Sequence, residues 1–171
     1  MSTDPRLETP LIIRAIEPGE YEAVAELTVS TYADVLGEIL SDDYRRVLAD
    51  VVSRAREAVV LVAVDDRGGL LGSVTYVPGL GRYAEFESPD EAGIRMLVVD
   101  PAAQGRGVGT AMMRACIERA RAAGKARISL HTTPSMATAQ RLYERLGFRR
   151  APERDRVPEP GVSLLGYVLD L

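Results

Sequence analysis

Apolar side chains recur at two different spacings along the chain, and the spacing distinguishes helices from strands. Intervals of three and four residues predict amphipathic helices, over residues 20–32, 41–56, 107–123 and 135–146. Short runs rich in β-branched residues predict strands, over residues 11–16, 58–64, 70–77, 94–99, 126–131 and 162–169. Strands and helices alternate along most of the chain, which predicts a mixed sheet flanked by helices, in the α/β or α+β class.

The second and third predicted strands are separated by the sequence DDRGG, residues 65–69. That composition is typical of a tight turn, so an antiparallel hairpin is expected. After the hairpin, residues 78–93 contain several glycines and prolines and four acidic side chains. A loop of this length in a compact domain is usually tied to function or mobility.

Glycines mark the start of the helix predicted over residues 107–123. The preceding strand ends in Val-Asp-Pro, and Gln104 and three alternating glycines follow, Gly105, Gly107 and Gly109. Glycine lets a backbone approach a ligand closely, and the free N–H groups at a helix N-terminus attract phosphate. We therefore expect this turn to bind a phosphorylated ligand through its main chain.

Two common phosphate-binding motifs do not fit the turn. A dinucleotide-binding G-x-G-x-x-G motif that begins at Gly105 requires a glycine at position 110, where the chain has Thr110. A P-loop requires a lysine directly after a glycine, and Lys125 is the only lysine of the sequence. The pattern that fits is Q-x-x-G-x-G, from Gln104 to Gly109.

This pattern resembles the Q/R-x-x-G-x-G/A motif of the GNAT superfamily of acetyl-coenzyme A (acetyl-CoA)-dependent N-acetyltransferases. The sequence LYERLGF, residues 142–148, is similar to the second signature of that superfamily, and the order of elements matches over nearly the whole chain. The resemblance implies a mixed, mostly antiparallel sheet of six or seven strands flanked by about four helices. It also implies that the central strands diverge to form a coenzyme cleft, and that an acetyl group passes from acetyl-CoA to a primary amine.

The resemblance further implies which residues contact acetyl-CoA. Backbone N–H groups of the glycine turn would hold the pyrophosphate, and the preceding strand would pair with the pantetheine arm as with an added strand. The positions carried over are Leu97, Val98, Val99, Gln104, Gly105, Arg106, Gly107, Val108, Gly109, Thr110, Met136 and Ala139. Met136 stands where many relatives have an asparagine, so a polar contact is lost there, and Thr133 or Ser135 is an alternative source for it.

Acetyl transfer to an amine benefits from an acid for the departing thiolate and a base for the amine. By the resemblance, Tyr143 is the candidate acid, and the alternative is a tyrosine of the core. Many relatives carry a glutamate where this chain has Gly93, so direct catalysis by a carboxylate is in doubt. Glu91, acting through a water, and His131 are the candidate bases; the alternatives are a solvated surface carboxylate and a structural histidine.

Length and composition favour one domain over residues 1–171, with residues 1–9 as a flexible leader. The absence of a long apolar run and of a secretory signal predicts a cytoplasmic protein with no membrane contact. A single cysteine, Cys116, excludes an internal disulfide and a cysteine-based metal cluster, and no metal is expected.

Charge is distributed unevenly along the chain. Residues 1–100 carry 9 basic and 19 acidic side chains, whereas residues 101–156 carry 12 basic and 4 acidic ones. The basic segment favours a phosphorylated ligand at the glycine turn, and the acidic loop over residues 85–91 favours a cationic amine, on a small molecule or a peptide. The low pI of about 5.2 argues against nucleic acid. A homodimer is compatible with the resemblance, and a non-catalytic acyl-CoA sensor is the alternative function.

Overall fold

The computed structural model describes residues 10–171, so the leader predicted for residues 1–9 lies outside the described residues. The strands are β1 (Ile12–Ala15), β2 (Val59–Val64), β3 (Leu70–Val77), β4 (Glu91–Val99), β5 (Arg127–Thr132), β6 (Arg149–Arg150), β7 (Arg156–Glu159) and β8 (Val162–Asp170). The helices are α1 (Tyr21–Leu36), α2 (Asp42–Ala49), α3 (Val51–Glu57), α4 (Val108–Ala122) and α5 (Ala137–Arg145). None of the helices in this described range is long and apolar enough to cross a membrane.

The strands form one mixed sheet in the order β1-β2-β3-β4-β5-β8-β6, with β7 paired to β8. All neighbours are antiparallel except β4 and β5, which run parallel. The predicted hairpin of β2 and β3 and the mostly antiparallel mixed sheet are confirmed. Within the described residues the sheet has eight strands rather than six or seven, because β6 and β7, which carry no regular apolar pattern, also pair with β8.

The helix predicted over residues 41–56 is two helices. Ser41 caps the start of α2, where its hydroxyl accepts a hydrogen bond from the backbone N–H of Tyr44. Asp50 leaves the helical conformation, with φ −81° and ψ 69°, and its carboxylate accepts a backbone hydrogen bond that begins α3. The buried guanidinium of Arg54 donates to the carbonyls of Val47 and Leu48, at 2.8 and 2.9 Å. These carbonyls at the end of α2 would otherwise have no hydrogen-bond partner within the helix. Because of this break, residues 10–171 contain five α-helices rather than the expected four or so.

Both faces of the central strands are covered by helices. Along β2, Leu61 and Ala63 pack into the main core with α4, whereas Val62 and Val64 pack against α1 and α3. This arrangement explains why β2 is an uninterrupted apolar run instead of an alternating one. Cys116 is buried on α4 in the main core, as expected for a packed side chain.

A bulge in β4 opens the middle of the sheet. Arg95 pairs with Thr75 and Val98 pairs with Ser73, so two residues of β4 lie opposite one residue of β3. Met96, within the bulge, has φ 54° and is the one non-glycine residue with positive φ in the described range. Pairing of β4 with β5 ends at Ile94, and the two strands separate beyond it. The predicted divergence of the central strands is therefore present.

Candidate active site

The glycine turn presents a row of backbone donors at the start of α4. Gly105 and Gly107 have φ of 76° and 78°, in the left-handed region that favours glycine. The first backbone bond of the helix runs from Ala111 N–H to the carbonyl of Gly107, at 3.0 Å. In the described part of the chain, the six N–H groups from Gly105 to Thr110 donate to no backbone carbonyl. Six such donors at a helix N-terminus fit a pyrophosphate.

The three glycines serve different purposes. A Cβ on Gly105 or Gly107 would meet nothing within 4 Å, so these two positions need glycine for its backbone conformation and leave open space for a ligand. A Cβ on Gly109 would lie 3.3 Å from Leu142 and 3.7 Å from Val99. Gly109 therefore allows α4 to pack closely against α5 and β4. Gln104 and Arg106 are exposed beside the turn.

A cleft with two connected pockets lies between β4 and β5, where the strands diverge. The inner pocket, about 50 Å³, is lined by Leu97, Leu130, Ala139 and Tyr143. The outer pocket, about 230 Å³, extends toward α1, α2 and the hairpin of β7 and β8. The residues common to both pockets are Tyr32, Ile94, Arg95, Met96, His131, Thr132 and Met136.

Met136 lies where the two pockets join, just before α5. Its Sδ accepts a hydrogen bond from the Thr132 hydroxyl at 3.4 Å. The neighbouring hydroxyls of Thr133 and Ser135 form a hydrogen bond with each other at 3.0 Å. The N-cap of α5 is Met136 rather than Ser135, and no side chain caps the helix. The cofactor positions expected from sequence at Leu97, Met136 and Ala139 thus all border the cleft.

Tyr143 lines the inner pocket. Its ring is 6% exposed and packs against the rings of Phe148 and Tyr167, with centroids 6.1 and 6.0 Å away. Burial raises the pKa of the Tyr143 phenol, with a smaller contribution from Tyr167. The hydroxyl therefore stays protonated at neutral pH and is able to donate a proton or a hydrogen bond toward the cleft.

Glu85 sits in the outer pocket among three basic side chains. Its Oε1 lies 2.9 Å from Arg156 Nη2 and 3.3 Å from Arg95 Nε, and its Oε2 lies 2.9 Å from His131 Nδ1. Burial opposes ionisation of Glu85, but the hydrogen bond to His131 and the charges of the two arginines outweigh it and lower its pKa. The carboxylate is therefore ionised at neutral pH.

His131 is fixed between two hydrogen-bond acceptors. Its Nδ1 faces Glu85, and its Nε2 lies 2.8 Å from the carbonyl oxygen of Arg154. Both ring nitrogens are therefore in hydrogen-bond contact with the protein, and neither is free to contact a ligand in the cleft.

The other candidate base, Glu91, lies apart from the cleft pockets. Its side chain is 7% exposed, and Oε1 lies 2.7 Å from Arg154 Nη2. The N–H groups of Arg154 are not directed at that oxygen, which has no hydrogen bond among the described residues. At Gly93, a Cβ would lie 2.9 Å from the ring of Phe86. Phe86 thus fills the space beside β4, and the adjacent residue Glu85 brings a carboxylate into the cleft from the loop.

A comparison with protein families shows which family the chain belongs to. Residues 21–148 match the model of the acetyltransferase (GNAT) family. The chain belongs to this family. This is the family that the resemblance implied, and the matched residues include the glycine turn.

Individual relatives agree with this assignment. The chain is 32% identical over 158 residues to a mycothiol acetyltransferase of Salinispora tropica, an alignment that covers 86% of this chain and 47% of that protein. It thus spans about half the length of the curated relatives it matches. A GNAT-family acetyltransferase from Staphylococcus aureus has the same fold, with a TM-score of 0.75, 15% identity and coverage of 95% and 99% of the two chains. The structure of yncA from Salmonella typhimurium with its cofactor acetyl-CoA gives a TM-score of 0.66, 24% identity and 94% coverage of both chains.

Several residues of this GNAT cleft were not found from sequence. The sequence marks Glu85 only as part of an acidic loop. Arg95 carries a local signal, because it is the charged residue of the apolar run over residues 94–99. Tyr32, Tyr44 and Arg156 reach the cleft only through the fold, and nothing in their local sequence marks them. The described residues hold no cluster of three or more histidine, cysteine or acidic side chains that suits a metal ion.

Proposed function

We propose that this enzyme acetylates the primary amine of a small molecule that binds in the outer pocket, by direct attack of the amine on acetyl-CoA. The observation that supports this is the continuity of the cleft. The inner pocket is lined by Leu97 of β4 and by Tyr143, and it shares seven lining residues with the outer pocket. A thioester in the inner pocket and an amine in the outer one would meet at the shared residues.

Acetyl-CoA supplies the acetyl group, activated as a thioester. In the proposal, the six N–H groups from Gly105 to Thr110 hold its pyrophosphate, and Arg106 adds positive charge. The backbone of Leu97, Val98 and Val99 lies beyond the last pair between β4 and β5, so it is available to bind the pantetheine arm as an added strand.

Tyr143 is proposed to protonate the departing thiolate. It lines the inner pocket, and burial keeps its phenol protonated. Loss of a phenol proton in such a site is unfavourable at rest, but a thiolate formed beside it is a strong acceptor. The proposed role requires the hydroxyl and not only the ring.

We propose that a water takes the amine proton, since neither His131 nor Glu91 presents a free basic atom to the cleft. The basic side chains Arg95 and His131 lie where the two pockets join. Nearby positive charge lowers the pKa of an amine and so increases the fraction of its neutral, nucleophilic form. In this proposal the site favours the neutral amine by electrostatics.

The proposal is tested by thiol release from acetyl-CoA with a panel of amines. Amine-dependent release with an N-acetylated product is the expected result. Calorimetry with coenzyme A separates the alternatives: binding without turnover on any amine would favour an acyl-CoA sensor, and failure to bind would contradict the assignment of the glycine turn.

A further inference from the structure

The basic side chains around Glu85 outnumber the acidic ones. On the basis of the proposed function, we propose that the acceptor amine also carries a carboxylate, which binds beside Glu85 between Arg95 and Arg156. The amine of the same molecule would then lie toward the inner pocket. This assignment names the substrate class of the outer pocket.

The charge balance of the cluster carries this inference. One carboxylate, Glu85, serves Arg95, Arg156 and His131, and each contact is 3.3 Å or shorter. Each guanidinium has five N–H donors, and these contacts use only a few of them. Arg95 has two further partners: Nη1 donates to the carbonyl of Tyr83 at 3.4 Å, and the side chain of Tyr44 is also hydrogen-bonded to Arg95. A second carboxylate therefore finds unused donors and excess positive charge in the same place.

Glu159 is the other acidic side chain that lines the outer pocket. It is exposed on β7, and it forms no ion pair with the described basic residues. A polyamine or other multiply charged cation would bring a second ammonium next to Arg95 and Arg156, which like-charge repulsion disfavours. The cationic acceptor expected from the acidic loop is for this reason not the class that we propose.

The remaining walls of the outer pocket describe the rest of the acceptor. They are apolar or aromatic, with Tyr32, Leu36, Ile39, Tyr44, Met96 and Leu164 among them. The volume of about 230 Å³ exceeds the ~150 Å³ of an apolar cavity that holds benzene. A molecule the size of an amino acid with an apolar side chain matches this combination of charge, polarity and volume.

Matched ligands test the proposal with two independent readouts. L-Phenylalanine, L-phenylalaninamide and 2-phenylethylamine share a ring and an amine, and only the first carries a carboxylate. With acetyl-CoA, we expect kcat/KM, corrected for the neutral fraction of each amine, to be about tenfold higher for the acid. Spermidine serves as the cationic competitor. Turnover of the amide, the simple amine or spermidine at an equal or higher rate would overturn the proposal but leave acetyl transfer intact.

Binding measured without turnover keeps the two proposals distinguishable. In calorimetry with coenzyme A present, L-phenylalanine is expected to bind about tenfold more tightly than its amide even if no amine is acetylated. Equal affinity, or a preference for the amide, would overturn the carboxylate assignment whatever the activity. Absence of turnover together with tighter binding of the acid would contradict the proposed function alone.

Two variants of the cluster, with one control variant outside it, test whether these side chains cause the preference for the acid over the amide. The Arg156 side chain is 46% exposed, so Arg156→Gln is expected to fold and to remove most of the tenfold preference, through KM. Arg46→Gln removes an exposed arginine that pairs with Asp43 on α2, and it should leave the preference unchanged. Glu85→Gln is expected to tighten binding of the acid, because it removes the competing carboxylate. Weaker binding of the acid by Glu85→Gln, or an unchanged preference in Arg156→Gln, would overturn the assignment.

Discussion

The ring of Phe86 occupies the space into which a side chain at Gly93 would project, since a Cβ there would lie 2.9 Å from Phe86 Cε1. A residue of the loop before β4 thus fills the space beside Gly93. Phe86 is 8% exposed and packs with Val77 and Tyr83. The chain therefore could not gain a carboxylate at this position by a single substitution without displacing that ring.

Gly93→Glu is expected to destabilise the protein. The new side chain would meet Phe86 and bury a charge, which together cost about 3 kcal/mol or more of the free energy of unfolding. Denaturant unfolding measures the loss. Gly19→Glu is the matched control, because a Cβ on Gly19 meets nothing within 4 Å. Equal stability of the two variants would show that Phe86 does not prevent a side chain at position 93.

Gly107→Ala should lose stability and coenzyme affinity together. Its φ of 78° costs an L-residue about 1–2 kcal/mol, and the added Cβ would enter the open space before the free N–H groups. Gly124→Ala, at φ 70° after the far end of α4, carries the same conformational cost away from the turn. Calorimetry with coenzyme A should show weaker binding only for Gly107→Ala. Equal affinity in both variants would remove the glycine turn as the binding site.

Tyr143→Phe is expected to lower kcat by about 10²-fold, because a positioned acid typically contributes 10²–10⁴. Coenzyme affinity should change little, since the ring remains. Tyr167→Phe removes the hydroxyl of the tyrosine that packs against Tyr143, with centroids 6.0 Å apart, and should leave kcat near that of the wild type. Unchanged turnover in Tyr143→Phe would exclude this tyrosine as the acid.

Glu85 should contribute a stability that disappears in acid. Its pKa lies below the ordinary value of 4.5 because its hydrogen bond to His131 and the nearby arginines outweigh the cost of burial. A group whose pKa is lowered on folding stabilises the folded protein above its unfolded pKa, and this contribution is lost as the pH falls through the folded value. Unfolding free energies of the wild type and Glu85→Gln should therefore converge below about pH 4.5. A difference that stays constant across this range would contradict the ionised cluster.

Local patterns in the sequence predicted the parts of the fold that depend on local chemistry. The hairpin turn at residues 65–69 and the glycine turn were found because few residue types adopt such backbones. β6 and β7 were missed because one has only two residues and the other is fully exposed, with Val157 at 65%. The break at Asp50 depends on a buried arginine four residues later, which no helical periodicity reveals.

Part of the candidate site is contiguous in sequence, and part is assembled only by the fold. The glycine turn is contiguous in sequence, so the residues that we propose to bind the coenzyme could be named from the sequence. Glu85 and His131 are 46 positions apart, and they meet only because the loop before β4 folds back over β5. The hydrogen-bond partners of both ring nitrogens of His131 lie far from it in sequence, so its neighbours in the chain do not indicate them.

The most direct test of the account follows the acetyl group itself. Acetyl-CoA labelled with deuterium in its acetyl group is incubated with the enzyme and L-phenylalanine, and the products are examined by mass spectrometry. The account predicts one labelled acetyl group on the amine nitrogen for each thiol released. Thiol release with the label recovered only as acetate, or no release with any amine, would contradict acetyl transfer in this cleft.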